Sequence, residues 1–139
     1  MRVVCERILN PNSAPAFSEP VEEHPNISVG DEYIVSFITA QPALARAPAH
    51  PRVFLALVRD ELHFSHGMWP YEMFRTTSTR IPSSWVAAID EDGHLALAPA
   101  AFLQPFFWER VQGDMGTREE RLAAIADYKR ELEVIFAEA

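Results

Sequence analysis

The side chains able to do chemistry are few and loosely placed. His63 and His66 stand three apart, and His94 lies further along the chain. Three imidazoles suffice to hold zinc with one position open. A spacing of three on a strand, however, turns two rings to opposite faces, and no carboxylate-rich shell surrounds them. The expectation is surface or hydrogen-bonded histidines and no bound metal. Cys5, the single cysteine, follows Arg2-Val3-Val4 in an apolar run with no nucleophilic-cysteine signature around it, so it reads as a buried structural thiol. One cysteine also excludes an intrachain disulfide framework. Ser83-Ser84 lacks the flanking glycines of a nucleophile elbow. The five glycines never cluster into a phosphate-cradling loop. Glu22-Glu23 and Asp31-Glu32 read as solvated loop acids rather than an acid–base pair. These patterns lead us to expect no catalytic residue, no cofactor and no enzyme.

What remains is recognition. Twenty acids against twelve bases give a net charge of −8, with eleven arginines scattered along the chain beside one lysine, Lys129. Such a chain is repelled by phosphate backbones, so no nucleic-acid partner is expected. The acids gather at Glu19, Glu22 and Glu23, at Asp31 and Glu32, and at Asp90, Glu91 and Asp92. Loops and turns lie at the surface because their backbone groups need water, so these clusters are expected to face solvent. Of the aromatic residues, Trp69-Pro70-Tyr71 stands apart from the expected core, because rigid amphipathic rings beside a proline resemble binding hot spots. The candidate partner-binding set is therefore Glu22, Glu23, Asp31, Glu32, Trp69, Tyr71, Asp90, Glu91 and Asp92.

The elements that position these residues follow from local patterning. A length of 139 residues fits one domain over 1–139. No apolar run approaches the roughly 20 residues that span a bilayer, and the first residues lack the apolar stretch of a signal peptide. We expect a soluble, cytoplasmic protein with no membrane partner. Arg2 to Leu9 reads as a first strand, and 10–26, with four prolines, as a loop. Tyr33 to Thr39 is β-branched, aromatic and apolar on both faces, which suits a buried central strand. An Ala/Pro-rich insertion follows over 40–52, and then a strand over Val53–Val58 that would form a hairpin with Leu62–His66. A second hairpin joins Trp85–Ile89 to His94–Leu97 through Asp92-Gly93, a type I′ turn signal. Short helical turns are expected at 100–103 and 106–111. Thr117-Arg118-Glu119-Glu120 is a capping box. It opens a helix over 117–138 with the apolar stripe Leu122, Ile125, Tyr128, Leu132 and Ile135. The pattern predicts an α+β fold, in which a curved, mostly antiparallel sheet or half-barrel of five to six short strands carries the C-terminal amphipathic helix.

Four segments in this order carry a resemblance: Val29-Gly30-Asp31-Glu32-Tyr33-Ile34-Val35, Trp69-Pro70-Tyr71-Glu72-Met73-Phe74, Ile81-Pro82-Ser83-Ser84-Trp85, and Phe107-Trp108-Glu109-Arg110 before the last helix. Together they resemble a family of small bacterial immunity proteins from polymorphic-toxin and contact-dependent inhibition systems, many of whose members are uncharacterised. The resemblance implies a cytoplasmic protein that neutralises a cognate toxin domain by occluding its active surface, with no catalytic residue of its own. The acidic charge would suit a basic toxin domain, with Trp69 or Tyr71 as an apolar anchor. The alternative that the residues leave open is a regulatory or adaptor protein-binding module, or a small enzyme of another type.

Overall fold

The computed structural model describes residues 1–42, 53–59 and 67–139. Most of the Ala/Pro-rich stretch, the expected strand at Leu62–His66 and both His63 and His66 lie outside these residues. The elements are β1 (Arg2–Cys5), β2 (Ile8–Leu9), β3 (Pro20–Val21), β4 (Glu32–Ala40), β5 (Val53–Val58), β6 (Trp69–Pro70), β7 (Phe74–Ser78), β8 (Trp85–Ile89), β9 (Leu95–Pro99), α1 (Phe107–Gln112) and α2 (Arg118–Glu138). The fold is α+β, as the patterning predicts. Seven strands form one antiparallel sheet that does not close into a barrel; the expected first strand, Arg2 to Leu9, is divided, and its end, β2, pairs separately with β3 of the proline-rich segment.

β4 is the trunk. One edge pairs with β5 from Ile34 to Ala40. The other edge is divided: β1 takes Glu32 to Ile34 and β9 takes Ile38 to Ala40. From there the sheet runs in two branches, β1 to β7 and β9 to β8. The β4–β5 register slips between Val35 and Phe37, which leaves Ser36 at a bulge. Ser36 is buried, and its hydroxyl donates to the Ala56 carbonyl at 3.3 Å, so the polar group is not orphaned. Val3, Val35, Leu55, Leu57, Met73 and Ile135 are fully or almost fully buried around this trunk. Cys5 is buried too, with burial pushing its thiol pKa up.

The two hairpin strands β8 and β9 form where expected, but their turn is not type I′. Only Gly93 takes a positive φ, of 82°, and Asp92 does not. The Gly93 N–H donates to the Asp90 carbonyl and the Asp90 N–H to the His94 carbonyl. That is a type I turn closed by a glycine bulge, the usual three-residue hairpin. The Asp90 carboxylate selects it by accepting from the backbone of Asp92 and His94.

α2 starts at the expected capping box. The Thr117 hydroxyl accepts from the Glu120 N–H at 3.2 Å, and the Glu120 carboxylate accepts from the Thr117 N–H at 2.7 Å. Its buried face is Ala124, Tyr128, Leu132 and Ile135. Leu122 is not on it and is 56% exposed. A spacing of three falls about 60° short of a full turn, so two such steps rotate Leu122 well away from Tyr128, and Ala124 lines the core instead. The helix lies on β4, on α1 and on the 3-10 turn at Ala100–Leu103. There Phe102 stacks on Phe107 and Tyr128 at 5.2 and 5.4 Å, with Trp108 edge-on. Burial pushes the Tyr128 hydroxyl up to about 12. No described helix is long and apolar enough to cross a membrane.

These placements separate three substitutions. Leu132→Ala should cost about 2–5 kcal/mol by leaving a cavity. Thr117→Ala should cost about 0.5–2 kcal/mol through loss of the cap, and Leu122→Ala should stay within about 0.5 kcal/mol. Denaturant melts of the three variants check the ranking, and a Leu122→Ala loss as large as that of Leu132→Ala would contradict the assigned face.

Candidate functional site

The three acidic clusters differ in what their carboxylates do. Glu32 is held by Arg2 at 2.8 Å and by the Thr77 hydroxyl at 3.0 Å, and these hydrogen bonds lower its pKa. Asp31 pairs with Arg59 at 2.8 Å. Both tie β4 to its neighbours and are already neutralised. Asp90 builds its own turn: the His94 N–H and then the His94 ring, with Nδ1 at 2.9 Å, depress its pKa. Glu22, Glu23, Glu91 and Asp92, by contrast, are exposed, and their carboxylates make no hydrogen bond or ion pair among the described residues.

Of the sequence-expected residues, the structure brings two groups together. His24 lies edge-on to Trp69 with ring centres 4.8 Å apart, which seats the Glu22-Glu23 segment near the Trp69 indole. Trp69 is not the exposed anchor the sequence suggested. It is 4% exposed, because β6 pairs with β5 and the His24 ring packs on the indole. Tyr71 is 39% exposed, and its hydroxyl meets Thr76 Oγ1 at 3.1 Å. Glu22 and Glu23 line an open hollow of about 760 Å³ with Ile8, His24, Pro25, Ile27, Ser28 and Val29. Carboxylates beside the aliphatic surface of Val29 and Pro25 suit a lysine or arginine side chain, whose stem packs on aliphatic surface while its head meets the acid. Ile8 and Ile27 belong to this site and were not expected there. Their signal was two isolated isoleucines flanking the proline-rich loop.

A second concavity, of about 390 Å³, lies where β4 and β5 face α1 and α2. Phe37, Leu57, Val58, Met68 and Trp108 line it, with Ser36, Thr39, Gln112 and Tyr128 as its polar groups. None of these residues is charged, so it suits a neutral, largely apolar occupant. Nothing local in the sequence marked it, because its walls come from four elements far apart in the chain.

The remaining candidates occupy structural places. Ser83 is bonded through its N–H at 2.6 Å and its hydroxyl at 2.8 Å to the Glu138 carboxylate, which pins the β7–β8 loop to the end of α2. Asp90, Asp92 and His94 offer ligand atoms within 4.8 Å of one another. They are exposed or half-buried, and their geometry is explained by the turn they form. No family model, curated protein or solved structure matches the chain.

The depressed pKa of Glu32 has a pH signature. A carboxylate whose folded pKa lies below its unfolded value stabilises the fold above the ordinary pKa, 4.5 for glutamate, and that contribution is lost as pH falls through the folded value. Glu32→Gln should therefore melt below the parent near neutral pH, with the gap closing as pH drops below 4.5. Thermal melts across this range test it, and a gap independent of pH would show that charge is not the cause.

Proposed function

We propose that this chain is an immunity-type binding protein of the cytoplasm that captures a basic toxin domain and occludes its active surface. The observation that carries this reading is the hollow at Glu22 and Glu23, where two unpaired carboxylates border aliphatic surface. The arrangement would receive a basic side chain of the partner. The excess of acids supports the same reading, since a field of one sign accelerates encounter with an oppositely charged partner. Glu91 and Asp92 would add to that field. Asp31 and Glu32 would contribute little, being tied to Arg59 and Arg2. An adaptor function would use the same hollow for a basic protein that is not a toxin.

The test is binding to the product of the neighbouring gene. Glu22→Lys combined with Glu23→Lys should slow association by about tenfold or more and flatten its salt dependence, with the melting temperature unchanged. Binding kinetics at low and physiological salt read this directly. Unchanged kinetics in the double variant would overturn the assignment of the hollow. Absence of binding by the parent would overturn the immunity reading itself.

A further inference from the structure

Strand edges are templates for another chain, and folds protect them with charge, proline or shortness. Two outer strands here are protected in this way. β6 has two residues, one of them Pro70, and β7 carries Arg75, Thr76 and Thr77. β8 is not protected. It reads Trp85-Val86-Ala87-Ala88-Ile89, with no charge and no proline, and among the described residues it pairs with β9 alone. Both faces of its hairpin carry apolar surface in water: Val86 is 45% exposed, Ile89 72% and Leu95 41%.

The turn fixes which backbone groups are free. The Asp90 N–H donates to the His94 carbonyl, so these two form a hydrogen-bonded pair. Alternation along an antiparallel ladder then directs Ala88 and Val86 toward β9, and Ala87 and Ile89 away from it. The Trp85 N–H, also on the outer side, already donates to the Pro82 carbonyl at 3.1 Å. The free outer groups are thus the N–H and carbonyl of Ala87 and Ile89 and the carbonyl of Trp85.

We propose that a second copy of this chain occupies this edge, β8 against β8 in antiparallel register, about a two-fold axis at Ala87. In that register Ala87 of each copy exchanges both bonds with Ala87 of the other, and each Ile89 N–H reaches the opposite Trp85 carbonyl. The Trp85 N–H, already satisfied, is not called on. Charge selects this direction. β8 is preceded by exposed Arg80, which acts on the Glu138 carboxylate of its own chain without a direct ion pair, and followed by Asp90, Glu91 and Asp92. Antiparallel pairing brings the acidic end of one copy toward the end of β8 that Arg80 precedes in the other, whereas parallel pairing would stack acid on acid. A two-fold contact uses the edge of both copies and closes, so it yields a dimer rather than a fibre.

Sedimentation of the full chain over a range of concentrations tests the proposal. The expected result is a monomer–dimer equilibrium whose upper mass is twice 15.7 kDa. Ala87→Pro removes an outward N–H but none of the β9 ladder. Ile89→Lys places a charge on an exposed side chain of the same edge. Each should raise the dissociation constant on the order of tenfold or more, the equivalent of losing one or two neutral hydrogen bonds. Leu122→Lys, exposed on α2, should not change it. A parent that stays monomeric at every concentration, a series of species beyond the dimer, or a dimer indifferent to Ile89→Lys would each overturn the proposal. If Ala87→Pro fails to fold, Ile89→Lys decides alone. Glu22→Lys with Glu23→Lys should leave the dimer intact, so failure here and failure of toxin capture are read separately.

Discussion

A strand that pairs on both edges and is covered on both faces needs apolar residues along its whole length and enough length to serve every neighbour. β4 meets that demand with nine residues, Glu32 to Ala40, of which Tyr33 to Ser36 are buried. Its divided edge determines the rest of the sheet. β1 and β9 pair with three β4 residues each, and two strands that share one edge end to end lead the sheet in two directions. The bulge at Ser36 sits between the two stretches, and bulges sharpen the local twist. A serine can stand there because the Ala56 carbonyl accepts its hydroxyl; an unpartnered polar group in that position would cost the fold about 1–3 kcal/mol. α2 covers β4. The branch that ends in β8 extends past that cover, and its apolar residues are consequently left in water.

The same architecture sorts the acids. A net charge of −8 suggests one continuous acidic surface, but the carboxylates divide between two tasks. Glu6, Asp31 and Glu32 reach Arg75, Arg59 and Arg2, which join segments distant in sequence. Glu120 and Glu138 satisfy backbone N–H groups at the two ends of α2. Exposed ion pairs of this kind each contribute little to stability. Their larger effect is to remove those carboxylates from the field available to a partner. Among the described residues, what remains uncompensated includes Glu19, Glu22 and Glu23 in the proline-rich loop and Glu91 and Asp92 at the tip of the β8–β9 hairpin, with Glu72, Glu109, Asp114, Glu119 and Glu133 spread over other segments.

Features that depend on local chemistry were legible in the sequence. β4 and β5 show as β-branched runs, the β8–β9 hairpin as two runs about a glycine turn, and α2 as a capping box ahead of an apolar stripe. Features decided by distant partners were not. β7, Phe-Arg-Thr-Thr-Ser, carries too little apolar character to announce a strand, and forms because β1 offers it a ladder. Trp69 looked exposed because a proline follows it, yet pairing with β5 and the ring of His24 cover it. The site was legible in part. The acidic clusters could be named from the sequence, but which carboxylates would be neutralised, and that the ring of His24 next to Glu22 and Glu23 would pack on Trp69, follow only from long-range packing. The chemistry of β8 was plain as an apolar run; its unpaired edge became visible only once β9 was seen to be shared with β4.

The hollow and the β8 edge differ in the physics by which they select a partner. Charge acts over a Debye length of about 8 Å at physiological salt, so the Glu22–Glu23 rim works before contact and loses strength as salt rises. A strand edge acts only at contact, through backbone bonds that any extended chain can supply, and salt screens it little. Such an edge needs selectivity from elsewhere, and in β8 the flanking residues supply it: Arg80 at one end and Asp90 to Asp92 at the other distinguish antiparallel from parallel approach. Polar recognition in the loop and backbone recognition on the strand therefore do not compete for the same groups. The one segment with a part in both, Glu91 and Asp92, lies at the hairpin tip, where it directs the approach of a neighbouring strand and adds to the acidic field at once.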